Sequence, residues 1–274
     1  MAAPIPLMPY LQVGMPHIPA RAPRPAGKNT TNDSYSHRDI REIREWGDFN
    51  LQQIQQDYGA LLAAAMISPD PLPTSPPQAI RLETGFKTKA GEILFPQVRR
   101  ALRQAFAWLA NQPSQPNQPP PMTGKSVVSM GVGELARTPG SFLPDVAFFE
   151  VGLAPGVPPN RVPGDLKPHW KWDTNMADSV SDRSEYLQAL SQVNFYMHQH
   201  NTRYGFLLTN HEMVAIRRRD DRGSLELSRP IPWEAAGTPN NQRMTVLLAL
   251  WYLGMLASQN EGDEHTVHFV NNQS

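Results

Sequence analysis

Two aspartates and a lysine near the middle of the chain are of the types that cut phosphodiester bonds. Pro144 and Asp145 open the apolar run Val146-Ala147-Phe148-Phe149, and twenty residues after Asp145 comes Asp165-Leu166-Lys167. Side chains of an extended strand alternate between faces, so Asp165 and Lys167 point the same way. If the strand opened by Asp145 pairs with the one carrying them, two carboxylates and an ammonium converge. Carboxylates hold a hard divalent cation such as Mg²⁺ or Mn²⁺. The cation polarises a phosphate and activates water, and a lysine orients that water or offsets charge on the phosphorane. Taken alone, the D-x-K tripeptide also describes a solvated salt-bridge pair on a surface strand.

The elements around these residues decide between the two. Residues 182–201 read as a helix with Tyr186, Leu190, Val193 and Met197 on one face. Gln192 and Tyr196 stand one turn apart beside that stripe. Residues 91–111 read as an amphipathic helix on Ile93, Leu94, Val98, Leu102, Phe106 and Leu109, and Pro96 falls in its first turn if the helix starts near Leu94 or Phe95. Strands are expected at 126–130, 144–151, 164–172, 204–209, 214–218 and 225–227, and a core helix at 241–258. That order places helices on both sides of a mixed sheet. Pro163 and Pro168 bracket the D-x-K motif, and proline removes ladder donors, so that strand suits a short or edge position.

The Pro-Asp pair, Asp165-x-Lys167 and Gln192-x-x-x-Tyr196 in this order resemble the PD-(D/E)XK nuclease superfamily, in its RecB-like branch. The resemblance runs over roughly residues 82–257. It implies an α/β restriction-endonuclease-like core, a central mixed β-sheet flanked by helices, with metal-dependent hydrolysis of nucleic acid, DNA foremost. By resemblance Asp145 and Asp165 bind Mg²⁺ or Mn²⁺ with the Leu166 carbonyl, Lys167 positions the attacking water, and Gln192 and Tyr196 support the site or touch the substrate backbone. The family also carries an acid on the preceding helix; Glu92 is the best match by order and Glu83 the alternative. If Glu92 only caps its helix, the helix dipole explains it equally. The segment Gly164-Asp-Leu-Lys-Pro-His-Trp-Lys-Trp, with Arg203-Tyr-Gly-Phe-Leu-Leu-Thr-Asn, is also similar to fungal members of the superfamily without a clear assignment. A catalytically inactive nuclease-fold module, binding protein or nucleic acid, is the competing expectation. An unrelated α/β binding domain is a third.

The 274 residues suit one α/β domain of about 150–200 residues with extensions. The expected division is a proline-rich disordered tail at 1–35, a helical extension and linker at 36–80, the nuclease-like domain at 81–260 and a tail at 261–274. Lys+Arg and Asp+Glu are both 25, which excludes a strongly basic nucleic-acid coat but not a local groove. With no cysteine, disulfides, thiolate metal sites and cysteine nucleophiles are ruled out. Prolines interrupt the first apolar residues where a signal peptide needs an unbroken run, and the longest apolar segment is too short to span a bilayer. The expected setting is nuclear or cytoplasmic, with no membrane.

Other motifs carry less. Gly131-Val-Gly133-Glu-Leu-Ala136 resembles a dinucleotide turn, but Pro139 and Gly140 would cut its helix short. His198 and His200 point to different faces of a helix. His265 and His268 lack a third ligand, and no G-x-S-x-G elbow exists. Arg99, Arg100 and Arg103, and Arg217–Arg219 with Arg222, are solvated charge unless they flank the acids, where they would hold phosphates. Trp170 and Trp172 either stack on unpaired bases or cover a core.

Overall fold

A computed structural model describes residues 3–23, 28–31, 33–75, 78–113, 119–140 and 142–260. The chain begins with β1 (Ile5–Pro6) and α1 (Leu7–Leu11), then β2 (Glu42–Glu45), α2 (Leu51–Ala64) and β3 (Met66–Ile67). Next come α3 (Glu83–Ala110), β4 (Val128–Val132), β5 (Val146–Glu150) and β6 (Gly164–Leu166). The last part holds α4 (Arg183–Gln199), β7 (Tyr204–Leu208), β8 (Glu212–Arg218), β9 (Ser224–Leu227), β10 (Ile231–Pro232) and α5 (Val246–Ala257).

Eight strands make one mixed sheet in the order β2-β9-β8-β7-β6-β5-β4, with β10 also on β8; β1 and β3 form a separate pair. β4, β5 and β6 run antiparallel to their neighbours, then β6 and β7 pair in parallel. A parallel pair needs a crossover, and α4 supplies it. Strand alternation sorts the two cores. Phe206, Leu208, Met213, Ala215 and Phe148 face one side, against α3, α5, α1 and α2. Leu207, Val214, Ile216 and Leu225 face the other, against α4. α5 is apolar all round because it lies between layers: nearly all of its residues are buried. Its N-cap, Thr245, accepts from Leu248 N at 3.1 Å. α4 ends at Asn201, whose φ of 49° is the left-handed conformation that stops helices.

Four expectations change. Residues 3–23 are not a free tail: Leu7, Leu11 and Ile18 are fully buried in the main core, since proline spacing does not prevent apolar side chains from packing. The segment at 36–67 is not one helical stripe. Residues 42–45 are an exposed edge strand pairing in parallel with β9, and the helix is confined to Leu51–Ala64. α3 starts at Glu83 and carries Pro96 inside it rather than in its first turn; the missing N–H costs one ladder bond there. β6 stops at Leu166 rather than reaching residue 172. Lys167 N still donates to Leu208 O at 3.0 Å, and then Pro168 has no donor. The chain turns, Lys171 N donating to Pro168 O, so Trp172 fills the α4-side core and stacks on Tyr186. The tail at 261–274 lies outside the described residues. Among these, no helix is long and apolar enough to cross a membrane.

Candidate active site

Pairing fixes the direction of the D-x-K side chains. Asp165 stands opposite Leu207, whose side chain belongs to the α4 core, so Asp165 and Lys167 face α4 as well. There Lys167 Nζ donates to Gln192 Oε1 at 2.9 Å, and Gln192 Nε2 donates to the Tyr196 hydroxyl at 2.9 Å. The i,i+4 spacing of a helix makes that second bond geometrically available. Lys167 Nζ also lies 2.7 Å from Asp165 Oδ2. That contact is a buried ion pair, and Oδ2 has no further donor among the described residues.

Asp145 reaches the same place from the start of β5, beside the single Val146–Gly164 pairing. Its Oδ2 accepts from Leu166 N at 2.9 Å, and its Oδ1 lies 2.8 Å from Lys87 Nζ. Gly133 makes the approach possible. Its N–H donates to Asp145 O at 3.1 Å, and a side chain there would collide with the Pro144 carbonyl. The glycine of the supposed dinucleotide turn thus serves close packing, and a short 3-10 turn follows it instead of a helix.

The acid contributed by the preceding helix is Glu83, not Glu92. Glu92 is over half exposed and pairs with Lys89 on the helix surface, whereas Glu83, in the first turn, binds Lys87 at 2.7 Å and Lys171 at 2.8 Å. Nine residues of helix separate the two acids, about 14 Å along the axis. The placement of Glu92 followed from starting the helix at 91. The signal for the earlier start is Phe86 and Ala90, which continue the buried stripe of Ile93 and Leu94 backward. Lys87 and Lys171 were not singled out either; the Glu83–Lys87 spacing of four is their trace in the sequence.

The result is a file of charges in which Lys171, Glu83, Lys87 and Asp145 alternate in sign, with the Asp165–Lys167 pair beyond Asp145. Burial and the Asp165 charge push the Asp145 carboxyl up to about 7, with Lys87 and the Leu166 amide opposing. Burial would raise Glu83 too, but Lys171 and Lys87 hold it down at about 2. Burial would lower Lys167 and Lys87; Asp165 overrides it for the first and Asp145 for the second, so both ammoniums are raised. Burial, then Asp165, raises the Tyr196 phenol, which stays protonated.

The donors suit a hard divalent cation by type, because Glu83, Asp145 and Asp165 supply only oxygen. Asp165 Oδ2 is buried, with the Lys167 ammonium 2.7 Å away as its counter-charge. Among the described residues, however, no three acids or histidines form a ready metal cage. The Lys87 ammonium lies between Glu83 and Asp145.

The basic clusters stay out of this group. Arg100 pairs with Asp70, Arg217 and Arg219 with Glu226, and Arg218 with Asp221. Arg99 donates to Phe95 O on its own helix. His200 is buried while His198 is exposed near Asp221, so the two do not share a ligand. Trp170 packs on the main core. Compared with protein-family models, curated proteins and solved structures, the chain matches none.

Proposed function

We propose that this site hydrolyses phosphodiester bonds of nucleic acid, DNA foremost, with Mg²⁺ or Mn²⁺. One observation carries the reading: Asp145, Asp165, Lys167, Gln192 and Tyr196, from three separate elements, meet at one point beside Glu83. The order of elements also supports it. An acid-bearing helix, the Asp145 strand, the D-x-K strand and the Q-x-x-x-Y helix follow one another on a mixed sheet, as in a restriction-endonuclease-like core of the RecB-like PD-(D/E)XK branch.

Asp145 and Asp165, with Glu83 in the role first given to Glu92, would hold the cation. When bound, it supplies Lewis acidity and an activated water. Lys167 cannot wander: Gln192 fixes its ammonium and Tyr196 fixes Gln192. A lysine so fixed orients the attacking water and offsets charge on the phosphorane.

The test incubates the protein with single- and double-stranded DNA in Mg²⁺ or Mn²⁺, beside Asp165→Ala and Lys167→Ala. Cleavage by the wild type should fall on the order of 10²–10³-fold in each variant, the scale of losing one preorganised charge. Cleavage indifferent to both substitutions sinks the assignment. A second reading has its own support. Each of the three acids already faces a lysine, and Arg100, Arg217 and Arg218 are paired with acids outside the site. That self-compensation suits an inactive nuclease-fold module that binds protein or nucleic acid, and absence of both cleavage and metal binding would favour it.

A further inference from the structure

The two lysines nearest the aspartates differ in how firmly they are held. Lys167 is 3 % exposed and anchored by Gln192, so its charge is a permanent part of the site. Lys87 is 33 % exposed, and its ammonium touches two carboxylates on different elements, Glu83 Oε1 at 2.7 Å and Asp145 Oδ1 at 2.8 Å. It bridges them as a divalent cation bridges two carboxylates. A lysine on a flexible four-carbon stem at the mouth of a site can return its charge to water at small cost. Glu83 keeps Lys171 when Lys87 leaves, while Asp145 loses its cation and Asp165 stays beside it.

We propose that Lys87 is a displaceable counter-ion: its ammonium occupies the gap between Glu83 and Asp145, and a divalent cation enters by expelling it. The proposal rests on the metal-dependent reading of the site. It makes Lys87 a gating residue that weakens metal affinity and protects the apo protein from bare carboxylate repulsion. It also accounts for three suitable acids that do not form a cage as they stand.

The full chain is titrated with Mn²⁺ by calorimetry as wild type, Lys87→Gln and Lys87→Arg. Lys87→Gln should bind about tenfold more tightly than the wild type, the scale of removing one competing charge near a partly exposed site. Lys87→Arg, which keeps the charge, should stay near or below wild-type affinity. Wild-type binding with equal or weaker binding by Lys87→Gln overturns the proposal and leaves the metal reading standing. No Mn²⁺ binding by any variant overturns both. A measurement on the wild type avoids dependence on the variant folding. Acylation of Lys87, read by mass spectrometry against Lys89 as internal reference, should rise when Mn²⁺ saturates the site. Unchanged acylation at saturation also overturns the proposal.

Discussion

At the inner end of the charge file, Asp165 and Lys167 are 2 % and 3 % exposed, and Gln192 and Tyr196 brace them. At the outer end, Glu83 and Lys87 are 23 % and 33 % exposed, so their ion pair is partly solvated. The residue types match, yet the physics differs. Inside, water cannot replace a lost partner, so each charge depends on the next. Outside, water and salt can, so the same pairs are adjustable. Position relative to the sheet, rather than residue type, decides which lysine is machinery and which is a counter-ion.

The largest expected break in this comparison is Lys167→Ala. It strands the Asp165 carboxylate in the interior and should lower unfolding free energy by about 3–5 kcal/mol. Urea denaturation measures it. Replacing both partners, Asp165→Leu with Lys167→Met, should recover most of that loss, because the cost lies in the orphaned charge. A double variant as unstable as Lys167→Ala would show that packing, not charge, dominates the inner end.

Removing the brace comes next. Gln192→Ala takes the acceptor from a buried ammonium and should cost about 1–3 kcal/mol, with the Lys167 side chain becoming mobile by NMR. A cost indistinguishable from that of an exposed pair would erase the distinction between the ends.

Titration separates the ends by sign. Asp145 holds its proton to about pH 7, above its ordinary value of 3.8. The native state therefore binds a proton that the unfolded chain has released, and stability falls as pH rises from about 4 to 7. Asp145→Asn should remove that slope. Glu83, held at about 2 against an ordinary 4.5, does the reverse: it contributes stability above pH 4.5 that is lost as pH falls toward 2. Unfolding curves across pH, with Glu83→Gln alongside, check both signs. The smallest effect is expected from Lys171→Ala, about 1 kcal/mol or less, since Glu83 keeps Lys87 and the pair meets solvent.

The part of the site legible in the sequence is the part with a strict period. Two-residue alternation put Asp165 and Lys167 on one face, and a four-residue step put Gln192 below Tyr196. Glu83 was only the alternative because polar residues and Gly85 dilute the first turns of α3, leaving Phe86 and Ala90 alone to mark its early start. β2 gave no signal at all: Glu42–Glu45 has four exposed side chains, and its backbone ladder to β9 defines it. The lysines at the outer end were invisible for a different reason. Beyond the i,i+4 step from Glu83 to Lys87, only the fold brings Lys87 to Asp145 and Lys171 to Glu83.

The docking of residues 3–23 bears on how the protein is made. Gln12 Nε2 donates to Arg243 O across 231 residues of chain, and Trp233 Nε1 donates to Pro16 O across 217. α1 meets α2 and β3 early in the chain, whereas the contacts with Trp233, Arg243 and α5 form only when residues 233–257 have been made. Ribosomal synthesis proceeds at about 5–20 residues per second, so those later contacts wait on the order of ten seconds or more. Late closure of such long loops is slow and leaves a nascent chain open to aggregation. The seat of this segment is thus begun by α2 and β3 and completed only by the Trp233 and Arg243 contacts.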